Sequence, residues 1–231
     1  MIINENEIHI YTTETELDED TMKSYENILS ADEILKADRY KFRYLRDNYI
    51  SCRGFLRNVL SGYTGKDPSD IIFSYSEFGK PYLNQSNIKF NVSHSGKLGL
   101  IAVDLNDELG IDIEMKRNIP DIYAISERYF SHDEISELRK TCENELTNSF
   151  FRCWTRKESF LKALGCGLQY PLKNFTVTVK ADEEPVIREI LNDTEEAVNW
   201  KLYNLNTENN YFASLSVRNL QKIIVFKNYK Q

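Results

Sequence analysis

The order of secondary-structure signals along the chain limits its possible folds more than any other feature of the sequence. Apolar residues recur at intervals of three and four over residues 17–60, which indicates helices, and short segments bounded by turn residues follow, which indicates strands. The same order then returns, with a helical stretch over residues 120–164 and more strands after it. Because helices and strands are segregated within each half, the sequence predicts an α+β fold and not a doubly wound parallel sheet. The predicted strands cover residues 8–11, 70–74, 88–92, 98–103, 110–114, 175–179, 200–203 and 211–217.

This repeated order predicts two similar α/β halves, residues 1–107 and residues 108–231. Each half is expected to contain a helical stretch and a small, mostly antiparallel sheet. No Gly/Ser-rich linker separates the halves, so we expect them to pack against each other with the active site in the cleft between them. The halves share no obvious residue-level repeat, and the prediction therefore rests on the order of elements alone.

Composition excludes several classes of protein. A chain of 231 residues with 41% hydrophobic content is long enough to bury a core, and its net charge of -7 argues against broad nucleic-acid binding. The sequence has no basic, apolar leader and no apolar run long enough to span a bilayer, so we expect a cytoplasmic protein with no membrane partner. The four cysteines lack CxxC spacing and nearby histidines, which argues against a zinc site. An anionic ligand would therefore need a local basic cluster.

An acidic pair interrupts the apolar strand Leu109-Gly-Ile-Asp-Ile-Glu-Met115. The period of two in a strand places Asp112 and Glu114 on the same face. A strand with one dry and one wet face explains this pattern. A hard-cation site also explains it, because Mg²⁺ is held by carboxylate oxygens, waters and substrate phosphates. The motif alone leaves both interpretations open.

The helix predicted over residues 150–164 carries charges inside its apolar arc. At about 100° per residue, Lys157 and Glu158 fall among the aromatic residues, and Lys162 lies at the edge of the arc, four residues beyond Glu158. Local pairing of Glu158 with Lys157 or Lys162, or a helix end tilted into solvent, accounts for this arrangement. Alternatively, Glu158 supplies a third carboxylate to one Mg²⁺, and Lys157 and Lys162 meet phosphate oxygens. Polar residues opposite the arc are Arg152, Thr155, Arg156 and Ser159.

Three motifs in this order give the chain a resemblance to a known family. The segments Phe90-Asn-Val-Ser-His-Ser-Gly96, Gly110-Ile-Asp-Ile-Glu114 and Trp154-Thr-Arg-Lys-Glu-Ser-Phe-Leu-Lys162 resemble the signature set of 4′-phosphopantetheinyl transferases of the surfactin-synthetase-activating type. Phe78-Gly-Lys-Pro81 and Gly165-Cys-Gly-Leu168 extend the match. The resemblance implies a pseudodimer of two α/β halves that binds coenzyme A and Mg²⁺.

The resemblance also implies a reaction and its residues. Asp112, Glu114 and Glu158 match the metal-binding carboxylates of the family, and Glu158 would help to remove the proton of a carrier-protein serine. Lys162 matches the lysine assigned to the leaving phosphate or to proton transfer. This chemistry needs positioning and charge neutralisation more than an enzyme nucleophile. The residues implied at the coenzyme A nucleotide are Lys80, Ser93 and His94, with His94 in a turn after a strand.

Basic residues of the first half match less well. Lys36 and the stretch Arg39–Arg53 fall where the family places basic contacts to nucleotide phosphates, although a solvated helix face explains them equally. Within this region, Lys36, Arg46 and Arg53 are the candidate phosphate contacts. Glu33 stands where a relative has a lysine, and Asn48 stands where an arginine is common.

The carrier is expected to be acidic and helical, and to dock near residues 119–140 and 162–173. Cys166 stands where lysine is frequent, which would weaken one contact to an acidic partner. Glu134 matches a further acidic position of the family, although capping of a helix after Ser131 explains it equally.

Two other functions remain open on the residues alone. A Mg²⁺-dependent hydrolase of phosphoanhydrides would use similar groups. A catalytically inactive carrier-binding protein would keep the fold without the chemistry. The length of the chain predicts an active monomer and not the trimeric, half-length type of transferase.

Overall fold

The computed structural model describes residues 1–191, 194–208, 210–219 and 221–229. These residues form two compact units. Unit 1 comprises Met1–Ser74, Pro81–Asn106 and the chain from Ile223 onward, and unit 2 comprises Tyr75–Lys80 and Asp107–Lys222. The sequence boundary between residues 107 and 108 stays a prediction, and the last two residues of its second half, Lys230 and Gln231, lie outside the described residues.

Unit 1 contains three helices and a four-stranded sheet in the order β11-β1-β5-β4. Local signals set the helix ends. Asp18 caps the first helix by accepting a hydrogen bond from the Thr21 amide, and the third helix ends at Gly65, in the left-handed conformation that favours glycine. The elements are β1 (Glu7–Glu14), α1 (Glu19–Ile28), α2 (Ala31–Ala37), α3 (Arg43–Thr64), β4 (Ile88–Ser95), β5 (Leu98–Leu105) and β11 (Ile223–Lys227).

The final strand of unit 1 comes from the far end of the sequence. β11 pairs with β1 in parallel, with Ile8 opposite Ile224, while β1 pairs with β5 in the antiparallel direction. Two short strands, β2 (Phe73–Tyr75) and β3 (Pro81–Leu83), form a separate two-stranded sheet. β11 was not predicted, although its run Ile223-Ile-Val-Phe226 of β-branched and aromatic residues is a local strand signal. Only its pairing with β1 leaves no local signal.

Unit 2 combines helices with two antiparallel sheets, one in the order β6-β10-β9 and one that pairs β7 with β8. The long helix α6 packs against both β6 and β10 and ends at Gly165, again in the left-handed conformation. The elements are β6 (Leu109–Met115), α4 (Ile122–Tyr129), α5 (His132–Lys140), α6 (Glu143–Leu164), β7 (Phe175–Val177), β8 (Ile187–Ile190), α7 (Thr194–Ala197), β9 (Lys201–Leu205) and β10 (Tyr211–Val217).

The α+β prediction is confirmed, but several of its elements differ. β3 and β8 were not predicted, and β7 ends at Val177 and not at residue 179. Each predicted helical stretch divides into three helices, at Leu29 and Asp38 in the first and at Phe130 and Thr141 in the second. The predicted strand over residues 70–74 is shifted: Pro68–Asp70 forms a 3₁₀ turn, and β2 begins at Phe73. Proline and the capping Asp67 favour that turn, because Asp67 accepts the Ser69 amide.

None of the helices within the described residues is long and apolar enough to cross a membrane.

Candidate active site

The acidic pair lies on β6, but the two carboxylates occupy different environments. Burial on both faces of the strand continues from Leu109 to Ile113, so Asp112 is 4% exposed, whereas Glu114 is half-buried. Asp112 is opposite Ser214 on β10. The interpretation of one dry and one wet face is therefore wrong at Asp112. A carboxylate at this depth requires a compensating cation or hydrogen bonds.

The absence of a side chain at Gly110 allows α6 to approach β6 closely. A Cβ atom at this position would lie 2.2 Å from Ser159 O and 2.2 Å from Ala163 N, far inside contact distance. The backbones of strand and helix therefore meet here directly. This close approach brings the last two turns of α6, with Glu158 and Lys162, to the strand that carries Asp112.

Ion pairs hold two of the predicted metal-binding carboxylates. Lys162 donates from Nζ to Asp112 Oδ1 at 2.6 Å, and Arg117 donates from its guanidinium to Glu114 Oε2 at 3.1 Å. Arg117 also lies over the Phe151 ring. The sequence predicted that Lys162 would face this region, but it gave no indication of Arg117, which follows β6 in a loop.

The site shifts the pKa of Glu158. Burial, followed by the negative charge of Asp112, raises the pKa of Glu158 to about 7, with Glu114 adding a smaller upward effect and Lys162 opposing it. The carboxyl is thus balanced between its two protonation states near neutral pH. A residue in that state suits a general base.

Asp112, Glu114 and Glu158 are the carboxylates that the sequence predicts as ligands of a metal ion. Within the described ranges, no group of three His, Cys, Asp or Glu side chains is arranged to hold a metal ion. The chemistry of the donor set nevertheless fits a hard cation, because the charges of Asp112 and Glu114 both act on Glu158 and all three donors are carboxylate oxygens. Lys162 and Arg117 hold Asp112 and Glu114 in this arrangement.

Lys157 has a different environment from the one that the sequence suggested. Its side chain is fully buried, and its ammonium donates to Glu134 Oε1 and to Phe175 O, both at 2.7 Å. Glu134 in turn accepts the amides of Ser131 and Val177. Lys157 therefore joins α6 to α5 and β7, and this burial argues against the expected contact with a phosphate.

Glu134 performs the capping role that the sequence left as an alternative. Ser131 and Glu134 form a reciprocal capping box at the start of α5. The same carboxylate is the partner of Lys157, so one residue caps a helix and neutralises a buried cation.

Lys80 joins the ends of the two elements that carry the site. Its Nζ donates to Glu108 Oε2 at 3.1 Å, to Leu109 O at 3.1 Å and to Ala163 O at 3.0 Å. The last of these is a carbonyl in the final turn of α6, where a cation is favourable. The sequence placed Lys80 near a nucleotide, and the structure adds this role at the ends of α6 and β6.

The basic residues of unit 1 are largely engaged within the protein. Glu33, fully buried, forms ion pairs with Arg53 at 3.4 Å and with Arg57 at 2.8 Å. Arg46 forms ion pairs with Glu26 and Asp38. The departure at Glu33 therefore neutralises Arg53, one of the proposed substitutes for a phosphate contact.

Lys36 is the most available of the predicted phosphate contacts in unit 1. It is exposed, with Nζ 5.4 Å from the centroid of the Tyr49 ring. Partial burial of this otherwise exposed side chain, followed by the positive charge of Arg53, lowers the pKa of Lys36. Ser93 and His94 lie within β4 and not in a turn, with Ser93 buried and His94 exposed. His94 is opposite Gly99 in the antiparallel register.

Three of the four polar residues opposite the apolar arc of α6 are buried, namely Thr155, Arg156 and Ser159, whereas Arg152 is half-buried. Thr155 bonds to Ser214 at 3.1 Å, and Ser159 bonds to Ser216 at 2.8 Å. Arg156 donates to Thr178 O, and burial lowers its pKa to about 10. The sequence analysis missed this second buried face; the signal was the alternation of Ser214 and Ser216 on β10.

An apolar cavity of about 210 Å³ opens beside Glu114 within unit 2. Its lining is mostly aromatic and aliphatic. The residues around it are Glu114, Arg117, Asn118, Ile119, Pro120, Ile125, Phe150, Phe151 and Trp154. Residues 119–125 fall in the first of the two segments that the sequence analysis named for carrier docking.

The family models and the curated relatives that match this chain carry the same family description. Residues 108–216 match the family model of the 4′-phosphopantetheinyl transferase superfamily, and residues 18–106 match that of the 4′-phosphopantetheinyl transferase N-terminal region. The chain is similar to the 4′-phosphopantetheinyl transferase HetI of Nostoc sp., with 32% identity over 216 residues, 92% of this chain and 88% of that protein. It is also similar to the 4′-phosphopantetheinyl transferase Sfp of Bacillus subtilis, with 37% identity over 62% of this chain and 63% of that protein.

Among solved structures, the chain is similar to the holo-[acyl-carrier-protein] synthase of Thermotoga maritima, with a TM-score of 0.38 and 18% identity over 48% of this chain and 62% of that one.

The two family models together extend over most of the sequence, and the similarity to HetI extends over nearly all of it. These matches favour neither the hydrolase nor the inactive carrier-binding protein. The chain belongs to the 4′-phosphopantetheinyl transferase family.

Proposed function

We propose that this chain is a magnesium-dependent 4′-phosphopantetheinyl transferase of the surfactin-synthetase-activating type. It transfers the 4′-phosphopantetheine moiety of coenzyme A to a serine hydroxyl of an apo carrier protein, and adenosine 3′,5′-bisphosphate leaves. The observation that carries the proposal is the placement of Glu158, with a pKa of about 7, close enough to Asp112 and Lys162 for their charges to act on it.

Glu158 is the proposed general base. The serine oxygen forms a bond to the β-phosphorus of coenzyme A as the bond from that phosphorus to the leaving bisphosphate oxygen breaks, and Glu158 accepts the serine proton. A carboxyl with a pKa near 7 is substantially ionised at neutral pH and still basic enough to hold that proton. The electron pair of the broken bond stays on the leaving bisphosphate.

Lys162 is the proposed cation at the leaving group. Its ammonium is part of the site through Asp112 and is 29% exposed, so it is able to meet a phosphate oxygen. Neutralisation of the developing negative charge lowers the barrier of a phosphoryl transfer more than covalent assistance does. Asp112 fixes the position of this lysine.

Asp112, Glu114 and Glu158 would hold Mg²⁺. When bound, the ion supplies charge neutralisation at the pyrophosphate of coenzyme A. The support is the chemistry of the donors and the mutual effect of their charges. Occupancy by the ion requires that Asp112 and Glu114 exchange their cationic partners for it, at least in part.

The remaining nucleotide contacts are proposals of the same kind. Lys36, Lys80, Ser93 and His94 are the candidates, since Arg53 is neutralised by Glu33 and Arg46 is paired with two carboxylates. The carrier is proposed to be acidic and helical and to dock near residues 119–140 and 162–173. We also propose that the enzyme is cytoplasmic and monomeric. Light scattering tests whether it is a monomer.

The experiment that tests the function is the intact mass of an apo carrier protein after incubation with this enzyme, coenzyme A and Mg²⁺. The expected result is a gain of one phosphopantetheine that EDTA abolishes and excess Mg²⁺ restores. Consumption of coenzyme A without any gain on acyl and peptidyl carriers would overturn the proposal in favour of a hydrolase. A gain that is insensitive to EDTA would overturn the metal assignment alone.

A further inference from the structure

A short segment of unit 1 exposes an alternation of cations and aromatic rings. Residues 39–44, Arg-Tyr-Lys-Phe-Arg-Tyr, connect α2 to the first turn of α3, and all six are exposed. Tyr40 is 37%, Phe42 52% and Tyr44 62% exposed. Exposed aromatic side chains on neighbouring positions mark interaction sites more often than chance surface exposure does.

The aromatic side chains of the 39–44 segment are held in place without a partner. The rings of Phe42 and Tyr44 stack with centroids 5.9 Å apart, and Lys41 Nζ lies 5.7 Å from the Phe42 centroid. Tyr40 packs against Tyr49 at 5.8 Å. A surface that is already ordered loses less conformational entropy when it binds.

The charge of the 39–44 segment is opposite to that of the whole chain. Arg39, Lys41 and Arg43 give it three cations and no anion, in a chain whose net charge is -7. Arg43 is paired with Asp47 at 3.4 Å, but its side chain is 89% exposed, and such pairs contribute little. The segment therefore attracts a negatively charged surface, and its arginine, tyrosine and phenylalanine residues are of the types enriched at protein interfaces.

We propose that the 39–44 segment is a docking surface for the acidic carrier protein. The inference rests on the proposed function and extends it to a second surface, in unit 1 and outside the two segments already named. Charge complementarity selects an acidic partner, and the aromatic rings select one with apolar side chains beside its carboxylates. The net charge of -7 disfavours an extended nucleic acid or an anionic bilayer, both of which reward a uniformly basic face.

The test separates carrier binding from nucleotide binding by steady-state kinetics. The aromatic variant combines Phe42→Ala and Tyr44→Ala. The charge variant combines Arg39→Ala, Lys41→Ala and Arg43→Ala. Both are assayed with an apo acyl carrier protein and with an apo peptidyl carrier domain. We expect KM for the better carrier to rise about tenfold or more in each, with kcat and KM for coenzyme A unchanged. The effect of the charge variant should shrink at high salt, where screening weakens the attraction.

The matched controls are Tyr82→Ala and Lys66→Ala, an exposed aromatic residue and an exposed lysine outside the segment. They should leave KM for the carrier unchanged. If the wild type modifies the carrier and the segment variants keep its KM, the inference is overturned while the proposed function stands. A rise in KM for coenzyme A instead would make the segment part of the nucleotide site and overturn the inference.

Two further outcomes would overturn the assignment of the 39–44 segment as a carrier-docking surface. Loss of binding to vesicles that contain anionic phospholipid, with carrier kinetics intact, would assign the segment to a membrane surface. Absence of transfer by the wild-type enzyme would remove the proposed function and, with it, the docking surface.

Discussion

Lys162 and Asp112 join the last turn of α6 to the middle of β6 through a contact of 2.6 Å between the ammonium and a buried carboxylate. This pair links the two halves of the site: the strand that carries Asp112 and Glu114, and the helix that carries Glu158. A contact between residues fifty positions apart thereby places the Lys162 ammonium at the strand that carries Asp112.

The role of Lys162 predicts a large kinetic effect on its removal. Lys162→Ala should slow transfer about 100-fold or more, because it removes a cation at the leaving phosphate, and should change KM for coenzyme A much less. Steady-state assays that vary coenzyme A measure both quantities. Lys162→Arg, which keeps the charge, should recover part of kcat; equal activity of the alanine variant and the wild type would rule out the proposed role.

The raised pKa of Glu158 predicts a dependence of stability on pH. The ordinary pKa of this carboxyl is 4.5 and its pKa in the folded protein is about 7, so the folded protein binds the proton more tightly. The free energy of unfolding therefore keeps this contribution below about pH 4.5 and loses it as pH rises from 4.5 to about 7. Above about pH 7 the protein stays less stable. Glu158→Gln removes this loss.

Urea unfolding without Mg²⁺ at about pH 5 and about pH 8 measures this effect. The Gln variant should gain free energy of unfolding relative to wild type as pH rises. The control Glu77→Gln, at an exposed position, should show no such trend. A parallel pH dependence of Glu158→Gln and wild type would contradict the shifted pKa.

The burial of Lys157 predicts a loss of stability and not of coenzyme binding. Lys157→Met leaves Glu134 as a buried carboxylate without its cation, which costs about 3–5 kcal/mol. Adding Glu134→Gln should recover part of that loss. Urea unfolding and KM for coenzyme A distinguish the two roles; a rise in KM with normal stability would return Lys157 to the phosphate site.

The close contact between α6 and Gly110 predicts that even the methyl group of alanine is too large at this position. Gly110→Ala should destabilise the protein by about 1–3 kcal/mol or more, because its Cβ meets the backbone of α6, which cannot move independently of the helix. The matched control is Gly62→Ala in α3, where the three atoms nearest to the added Cβ all belong to the flexible side chain of Met1. Thermal unfolding compares the two, and equal melting temperatures would show that α6 shifts without cost.

Local patterns predicted the parts of the site that depend on one element. The alternation around Asp112 placed both carboxylates on one face of a strand, and the spacing of Glu158 and Lys162 placed them on one side of a helix. Capping of a helix after Ser131 was a local alternative for Glu134, and the structure contains that capping box.

Long-range contacts were not accessible in the same way. Glu33 forms ion pairs with Arg53 and Arg57 on another helix, and Lys157 meets Glu134 across 23 positions. No periodicity within one segment distinguishes such a partner from a substrate phosphate. This is why Arg53 and Lys157 appeared as ligand contacts in the sequence and as internal ion pairs in the structure.

The most direct test of the central claim is the single-turnover rate of phosphopantetheine transfer to an apo carrier, measured by intact mass for the wild type, Glu158→Gln and Asp112→Asn. Circular dichroism confirms that each variant is folded. We expect a loss of about 100-fold or more in both variants, because one lacks the base and the other lacks the carboxylate that holds Lys162. Wild-type rates in either folded variant would contradict the assignment of the chemistry to the site on β6 and α6.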